Sequence, residues 1–358
     1  MSDDDGESLC CCEYYDKDKN RSHLLATCCF CEDFDEGFES LITGKGFPQH
    51  RRQKFMATVQ DRLRLPWRGG AKTVSIEAVI PIIVLPTIFI VAAQSLWWTV
   101  FSFSTVTVFL LYIFKFLIKV TPKTKFFFVW SVTSIILLYI IFEFIVIPFL
   151  EILFEENIAL SLLIGGFLFC LYTLKVRANQ YHKFQADSEN LLHPGTRFHN
   201  CSICQTTVPD KDHHCVWYDC CISRQNQCLF IMSLVFAFAA LLYSSNLTLT
   251  SVCHPFELYE TILLPDDCSE VYQAFELGIS FVSAIYSMIL AVIVLILLLQ
   301  QILLVSIGLT RKEWNKLPFS SKCLLGVTSR KSHNRGFIRN WSRIICWTAP
   351  NYSIVSHT

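Results

Sequence analysis

The chain has 358 residues, of which 53% are hydrophobic and only 17% are charged. This composition is too apolar for two ordinary soluble domains and predicts a membrane protein. Lys and Arg together number 30, as do Asp and Glu, so the formal net charge is zero. No overall field therefore attracts a polyanion, and we expect no nucleic-acid partner.

The chain begins with an acidic segment, Met1 to Asp5, where a cleavable secretory signal would be basic and then apolar. We therefore expect the N-terminus to stay in the cytosol, where the thiols of its many cysteines remain reduced.

Apolar windows in the sequence approach the roughly 20 residues that a helix needs to cross a bilayer. Six such windows are present, at residues 76–93, 98–117, 126–150, 158–174, 228–245 and 277–308. The sequence therefore predicts six transmembrane helices.

Charge between the windows predicts their orientation. Lys and Arg concentrate before the first window, between the second and third, in residues 175–227 and in the C-terminal tail. The loop after the third window carries Glu151, Glu155 and Glu156, and residues 246–276 contain six acids and no Lys or Arg. Because basic loops remain cytoplasmic, we expect both termini in the cytosol and these two acidic loops in the lumen. Cys253 and Cys268 share the second acidic loop, where they either form a disulfide or stay free.

The polar interval between the fourth and fifth windows concentrates the reactive side chains. It contains Cys201-Ser-Ile-Cys204, Asp212-His213-His214-Cys215 and Cys220-Cys221. A Cys-x2-Cys pair followed by His and Cys can bind one zinc ion tetrahedrally. Spacing alone leaves two interpretations open. The segment is either a purely structural zinc hairpin or a site that combines an acid, a base and a nucleophile.

Further residues around this tetrapeptide carry a family resemblance. Asp212 to Cys215, the upstream Cys-x2-Cys pair, Trp217, Cys221 and Asn226 closely resemble the DHHC family of protein S-acyltransferases, the palmitoyltransferases. The flanking segments 9–14, 61–67 and 334–341 extend the resemblance over most of the chain. The resemblance implies a protein S-palmitoyltransferase that moves a long-chain acyl group from palmitoyl-CoA, or another long-chain acyl-CoA, to Cys215. Cysteines of membrane-associated proteins would then accept the group, in the Golgi or endoplasmic reticulum, with the plasma membrane as a further option.

The resemblance also assigns roles residue by residue. Cys215 matches the acyl-accepting nucleophile, His213 the base beside it, and Asp212 the acid that orients the base. Cys201, Cys204, His214 and Cys221 match the ligands of one of the family's two zinc ions. The positions of the other site hold no thiol here, because they are occupied by Asp187, Asn190, Asn200 and Thr207. We therefore expect one zinc ion.

Two departures from the family pattern leave an alternative function open. The family's Thr-Thr-x-Glu element reads Thr310-Arg311-Lys312-Glu313, and Arg311 could pair with Asp212 and lower its basicity. Because the thiols of the other zinc site, at positions 187, 190, 200 and 207, are missing as well, the chain could be a catalytically weak or inactive DHHC-family membrane scaffold. A transporter is disfavoured, because the windows hold almost no charge at the membrane centre.

Both terminal regions carry further patterns. In the tail, one helical face is apolar and the opposite face holds Arg335, Arg339 and Arg343; the apolar residues are Phe337, Ile338, Trp341, Ile344 and Ile345. Such an amphipathic helix either lies in the membrane interface or docks on the protein's own cytosolic face. An N-terminal cluster could bind zinc, carry lipid or have no special role; its members are Cys10, Cys11, Cys12, Cys28, Cys29 and Cys31.

Together these features predict an all-α integral membrane protein with six transmembrane helices and a small cytosolic zinc-binding DHHC hairpin between spans 4 and 5. The expected organisation has five regions: 1–73, Cys-rich and cytosolic; 74–174, spans 1–4; 175–227, the cytosolic DHHC region; 228–308, spans 5–6 with a lumenal loop; and 309–358, the cytosolic tail.

Overall fold

The structure is a computed structural model that describes residues 9–16, 19–24, 39, 42, 57–120, 124–150, 152–187, 198–258, 262–316 and 336–345. Several residues considered above lie outside these ranges, namely Met1 to Asp5, Cys28, Cys29, Cys31, Glu151, Asn190 and Arg335. The described part is mostly helical, and its strands form two-stranded antiparallel hairpins.

The strands of the first two hairpins precede the helices: β1 (Glu13–Tyr15) pairs with β2 (Arg21–His23), and β3 (Arg64–Leu65) pairs with β4 (Lys72–Thr73). The apolar helices follow as α1 (Ile76–Ala92), α2 (Leu96–Val120), α3 (Phe126–Ile141), α4 (Ile147–Leu150), α5 (Phe154–Asp187), α6 (Gln227–Val252) and α7 (Phe275–Ile307). A π-helical turn, Phe142–Val146, joins α3 to α4. The tail contributes α8 (Arg311–Lys316) and α9 (Phe337–Ile345).

Five helical segments in the described ranges are long and apolar enough to cross a membrane: Leu96–Lys115, Phe126–Leu150, Phe154–Asn179, Gln227–Val252 and Phe275–Ile307. They correspond to the second to sixth predicted windows. The first window forms α1, which has 17 residues and two internal prolines, Pro81 and Pro86. At about 1.5 Å per residue this helix is roughly 26 Å long, slightly less than a typical hydrocarbon core. A membrane span at α1, which would bring the total to six, therefore stays a prediction.

Large apolar side chains lie exposed along these helices, as expected where lipid rather than water covers the surface. Examples are Trp97, Phe169, Tyr172 and Ile296, whose exposed fractions are 83%, 68%, 71% and 61%. Soluble proteins rarely expose apolar patches of this extent, so the chain is a multi-pass membrane protein.

The contacts divide the chain into two compact units, Met1–Thr87 with Thr105–Thr133, and Ile88–Ser104 with Ser134–Thr358. In the first unit, an aromatic cluster joins the second half of α2 to the start of α3. Phe126 contacts Phe109 and Trp130 edge-on or tilted, with ring centroids 6.4 and 5.7 Å apart. Phe126 and Trp130 are almost fully buried.

The second unit is built around α5, α6 and α7. Gly166 of α5 lies so close to α6 that a Cβ atom there would stand 2.8 Å from the Phe236 ring, so a side chain at residue 166 would require that ring to shift. Between α6 and α7, the Ser245 hydroxyl donates a 2.9 Å hydrogen bond to the carbonyl of Ala284. Small and hydroxylated residues therefore set the spacing of these helices.

A hairpin connects α6 to α7, formed by β9 (His254–Leu258) and β10 (Ile262–Asp267). Cys253 and Cys268 flank this hairpin and form a disulfide, with Cα atoms 4.5 Å apart. Of the two alternatives that the sequence left open, the structure supports pairing. A persistent disulfide is typical of an oxidising compartment, which agrees with the predicted lumenal side of this loop.

A candidate catalytic and metal-binding hairpin

Two short hairpins between α5 and α6 hold the residues that the sequence analysis singled out. The first pairs β5 (Phe198–Cys201) with β6 (Thr206–Pro209), and the second pairs β7 (Lys211–Cys215) with β8 (Cys220–Ser223). Within the second hairpin, His214 lies opposite Cys221 and Cys215 lies opposite Cys220. The register thus brings two predicted zinc ligands together.

A β-bulge lies at Asp212. Lys211 pairs with Ser223 and His213 with Ile222, so Asp212 is an extra residue without a partner on β8. Neighbouring residues of a regular strand point to opposite faces, and a bulge redirects the side chain that it carries. This local irregularity is why Asp212 and His213, although adjacent, can contact each other through their side chains.

Asn226 joins the hairpin to the membrane helix that follows. Its side-chain amide donates to the carbonyl of Cys221 at 3.0 Å and accepts from the N–H of Ser223 at 2.8 Å. Asn226 is fully buried and immediately precedes α6. Strand β8 is therefore fixed to the start of α6, because breaking these bonds would leave buried polar groups unsatisfied.

Cys201, Cys204, His214 and Cys221 form a cluster whose ligand atoms all lie within 4.8 Å of one another. His214 Nδ1 is 3.3 Å from the Cys204 sulfur, 3.7 Å from that of Cys221 and 3.9 Å from that of Cys201. Zinc bonds of about 2.3 Å to sulfur and 2.0 Å to nitrogen give a tetrahedron with edges of roughly 3.5–3.8 Å. The donor set and its spacing fit a metal ion.

The predicted loss of the other family zinc site has a structural counterpart. Asn200 and Thr207, which occupy two of its positions, are cross-strand partners in the β5–β6 hairpin. The Thr207 hydroxyl donates a 2.6 Å hydrogen bond to the side-chain carbonyl of Asn200. Among the described residues, only the Cys201 cluster brings metal-ligand atoms together in this way. A direct side-chain contact therefore stands at two of the positions where the resemblance implies ligands of the other zinc ion.

The side chains of Asp212 and His213 are in direct contact, and His213 interacts electrostatically with the nearby Cys215. Asp212 Oδ2 lies 2.8 Å from His213 Nδ1. The opposite ring nitrogen, Nε2, is buried and has no conventional hydrogen-bond partner. Cys215 is also buried, and the backbone N–H groups of Tyr218 and Trp217 face its sulfur. The carboxylate thus orients the ring and leaves Nε2 free for proton exchange.

The pKa values of His213 and Cys215 shift in opposite directions. Burial disfavours the charged form of both groups. The hydrogen bond to Asp212 and the interaction with Cys215 nevertheless raise the pKa of His213. His213 and the backbone N–H groups lower the pKa of Cys215 despite its burial. By contrast, burial and the neighbouring Cys215 raise the pKa of Cys220, so the environment favours a thiolate at Cys215 and a neutral thiol opposite it.

The predicted pairing of the Arg311 side chain with Asp212 is wrong, because the contact comes from the backbone. The N–H of Arg311 donates a 2.7 Å hydrogen bond to Asp212 Oδ1. Glu313 Oε2 accepts from both the N–H and the hydroxyl of Thr310, at 3.0 Å each, while the N–H of Glu313 faces the Thr310 hydroxyl at 3.3 Å. This is a capping box, which starts α8 and aims its first free N–H at the carboxylate.

Aromatic residues surround the polar group, and sequence reasoning missed them. Phe230 contacts both His213 and Tyr218 edge-on, at centroid distances of 5.6 and 5.4 Å. Tyr218 also contacts Phe167 of α5 and lies 3.1 Å from the hydroxyl of Ser233. The only available signal was the position of Tyr218 three residues after Cys215, because Phe230 and Phe167 look like any other membrane-helix residue.

The amphipathic tail helix α9 docks on the end of α7. Asn340 donates to the carbonyl of Ser306 at 3.1 Å, the Trp341 indole N–H donates to the Ser306 hydroxyl at 3.2 Å, and Ile344 is buried. Phe337 and Ile338 remain exposed, at 63% and 80%. The structure therefore supports docking on the protein itself, while the first turn leaves apolar side chains uncovered.

Comparison with known proteins agrees with this geometry. A family model described as DHHC palmitoyltransferase matches residues 183–317. The chain is 28% identical to palmitoyltransferase ZDHHC23-B of Danio rerio, over 96% of this chain and 94% of that protein. It is 25% identical to palmitoyltransferase ZDHHC23 of Mus musculus, over 94% and 92%, and 25% identical to that of Homo sapiens, over 86% and 89%.

The matched segment 183–317 contains both hairpins, α6, α7 and the capping box that reaches Asp212. The similarity to the ZDHHC23 proteins extends beyond it to nearly the whole chain, as the flanking segments predicted. The chain thus carries a DHHC palmitoyltransferase domain within a ZDHHC23-like membrane protein, which supports a protein S-palmitoyltransferase function.

Proposed function

We propose that this protein transfers a long-chain acyl group from acyl-CoA to its own Cys215 and from there to cysteines of membrane-associated proteins. The observation that carries the proposal is the arrangement of Asp212, His213 and Cys215, in which a carboxylate orients a buried imidazole beside an activated thiol. Exchange of one thioester for another is nearly isoenergetic. The site therefore has to supply a nucleophile and proton transfer rather than an energy source.

In the first step, His213 Nε2 takes the proton of the Cys215 thiol, and the thiolate attacks the carbonyl carbon of acyl-CoA. The bond from that carbon to the CoA sulfur breaks, and the CoA thiolate receives the proton from the imidazolium. Asp212 holds the ring in the tautomer that keeps Nε2 available, with the Arg311 N–H holding the carboxylate in turn. The Tyr218 and Trp217 N–H groups stabilise the thiolate before attack.

In the second step, a substrate cysteine gives its proton to His213 and attacks the Cys215 thioester. Cys215 leaves as the thiolate that the site already stabilises, beside a protonated His213, and return of that proton to Cys215 restores the starting state. The acyl chain extends among the apolar side chains next to the hairpin. These include Phe167, Tyr218 and Phe230, which pack in one cluster with residues of α6 and α7. Each CH₂ group that is removed from water there contributes about 0.8 kcal/mol.

We assign zinc to the cluster of Cys201, Cys204, His214 and Cys221. When bound, the ion would cross-link β5–β6 to β7–β8, since ligands come from both hairpins. His214 would hold the ion through Nδ1. We assign no catalytic step to the metal, because the nucleophile and the base are side chains outside its ligand set.

We further propose that both termini and the DHHC region lie in the cytosol and that the Cys253–Cys268 hairpin lies in the lumen of the Golgi or endoplasmic reticulum. This orientation agrees with the distribution of Lys and Arg and with the disulfide. On this orientation Cys215 has access to cytosolic acyl-CoA and to cysteines at the membrane surface.

The second candidate function is an inactive scaffold. One observation favours it, namely the hydrogen bond between Asn200 and Thr207, which occupy two positions of the other family zinc site. One experiment separates the two functions. Purified protein is incubated with an alkyne-tagged palmitoyl-CoA, and the hydroxylamine-labile label is mapped. We expect label at Cys215, none there in Cys215→Ser, and no change in the control Cys228→Ser. A folded, zinc-loaded protein that acquires no label at Cys215 would establish the scaffold instead.

A further inference from the structure

The small unit that precedes the first apolar helix presents adjacent thiols on a turn. The N–H of Glu13 donates to the carbonyl of Cys10 at 3.0 Å, which closes a tight turn with Cys11 and Cys12 at its centre. Cys10 and Cys11 are exposed, whereas Cys12 is half-buried. Outside the disulfide and the DHHC region, this is the part of the described chain with the most accessible thiols.

The β3–β4 hairpin holds this turn in place. The N–H of Trp67 donates to the carbonyl of Cys11 at 3.1 Å, and the N–H of Ala71 donates to the carbonyl of Glu13 at 2.7 Å. Tyr14 is buried beneath Arg64, whose guanidinium lies 3.9 Å above its ring. The thiols therefore belong to a folded element rather than to a free tail.

The surface around the thiols combines apolar and basic groups. Cys11, Pro66, Trp67 and Arg68 line an open hollow. Leu65 and Trp67 are more than half exposed, and the Lys72 ammonium lies 5.1 Å from the centre of the Trp67 ring. Exposed tryptophan flanked by Lys and Arg is typical of protein surfaces that rest at the boundary between lipid headgroups and acyl chains.

This surface is also near the membrane along the chain. Ala71 precedes Ile76, the first residue of α1, by five residues, which can span at most ~17 Å. Gln60 fixes the connection, because its side chain donates to the carbonyl of Val74 at 2.8 Å and accepts from the N–H of Ile76 at 3.3 Å. The thiols consequently stay close to the N-terminus of the first apolar helix, α1.

We propose that Cys10 and Cys11 are S-acylated by this protein's own activity, and that the attached chains insert into the bilayer beside Trp67. The proposal rests on the proposed function, because the acyl donor is the thioester at Cys215. The acceptor thiol gives its proton to His213, its sulfur bonds to the acyl carbon, and the bond from that carbon to the Cys215 sulfur breaks, so that Cys215 leaves as thiolate. One thioester replaces another, so the transfer needs no oxidant or reductant.

The chemistry of the acceptor favours enzymatic over spontaneous transfer. Hydrogen bonds from Cys12 and Cys10 raise the pKa of Cys11, so its reactive thiolate is scarce at neutral pH. Spontaneous reaction with acyl-CoA is correspondingly slow. Two acyl chains on one turn hold a protein segment at the bilayer far longer than one chain does.

The test uses the full chain in liposomes with alkyne-tagged palmitoyl-CoA, followed by hydroxylamine release and a mass tag that counts acylated cysteines. We expect label on the peptide with Cys10 and Cys11 as well as on Cys215. Cys10→Ser/Cys11→Ser should lose the N-terminal label and keep that on Cys215, which also reports that the variant folds. The matched control Cys12→Ser should keep both labels.

Cys215→Ser distinguishes the donor. We expect this variant to lose the N-terminal label as well. Label on Cys215 without label on Cys10 or Cys11 would overturn the inference and leave the proposed function intact, and equal N-terminal label in Cys215→Ser would overturn self-acylation. Absence of label at Cys215 itself would refute the proposed function.

Discussion

The backbone N–H of Arg311 donates a hydrogen bond to the carboxylate of Asp212 across 99 residues of sequence. The other carboxylate oxygen contacts His213, so Asp212 is held from both sides. The pattern implied by the family resemblance has a threonine where this chain has Arg311. The structure indicates that the backbone geometry, rather than that side chain, carries the contact here.

We therefore predict different outcomes for two substitutions in α8. Arg311→Ala should change the rate of Cys215 acylation by less than about threefold, because the N–H remains. Glu313→Ala should lower it by about five- to tenfold, since a helix cap is worth about 1 kcal/mol and its loss loosens the turn that positions the Arg311 N–H against Asp212. Lys312→Ala, an exposed neighbour, is the control. Comparable losses in Arg311→Ala and Glu313→Ala would indicate a role for the guanidinium.

The two adjacent histidines should fail in different ways. His214→Ala should release zinc and lower both protein yield and melting temperature, because His214 contacts all three cluster thiols. His213→Ala should keep zinc and stability while acyl loading falls by about 10²–10⁴-fold. Zinc content, melting temperature and single-turnover loading measure these effects. Identical behaviour of the two variants would contradict the assigned roles.

The pH dependence of loading should report on His213. In the wild type, His213 lowers the pKa of Cys215, so the thiolate forms at a lower pH than it does for an ordinary cysteine. Without His213 the pKa of Cys215 rises, and loading should recover only as the pH increases beyond about 8.5. We expect rescue by high pH in His213→Ala and none in His214→Ala. A profile for His213→Ala that matches the wild-type profile in shape would argue against this coupling.

Metal analysis should find about one zinc per chain, held by the Cys201 cluster. Cys204→Ala should lose it, whereas Asn200→Ala and Thr207→Ala should keep it, because their side chains contact each other rather than the metal cluster. Inductively coupled plasma mass spectrometry gives the count. Two zinc ions per chain, one of them retained in Cys204→Ala, would show that the other site lies elsewhere.

The disulfide provides a test of orientation. In sealed microsomes, Cys253 and Cys268 should react with a membrane-permeant maleimide only after reduction, and an impermeant maleimide should not reach them. Removing both by Cys253→Ser/Cys268→Ser should destabilise the hairpin by about 3 kcal/mol on loop-entropy grounds, for a separation of 15 residues. Acyl loading should be unaffected. Labelling by the impermeant reagent in intact microsomes would invert the proposed topology.

The long apolar helices were predictable because hydropathy alone identifies segments that cannot be placed in water. The residues at which these helices end were harder to predict. Helix α5 continues from Leu174 to Asp187, well past the apolar window, because a helix needs no apolar residues once it leaves the membrane. The bounds of α1 were predicted more closely, since the window 76–93 extends only one residue beyond the end of the helix at Ala92.

The metal ligands and the Asp212–His213–Cys215 group were proposed from family resemblance, and the structure brings the four candidate ligands together and Asp212 into contact with His213. What the sequence could not supply were the contacts that depend on backbone position. The bulge at Asp212, the Arg311 N–H and the Asn200–Thr207 pair arise from register and helix capping. The identity of residue 311 even pointed to the wrong partner atom, because a charged side chain suggests an ion pair more readily than a backbone donor.

The turn after α7 connects the support of Asp212 to the surrounding membrane. Helix α7 has 33 residues and ends at Gly308, which adopts the left-handed conformation with φ 67°, and only two residues separate Gly308 from Arg311. A shift of this helix along the bilayer normal carries the Arg311 donor with it. Because helices tilt or slide to match hydrocarbon thickness, the support of the Asp212 carboxylate depends on how thick the surrounding bilayer is.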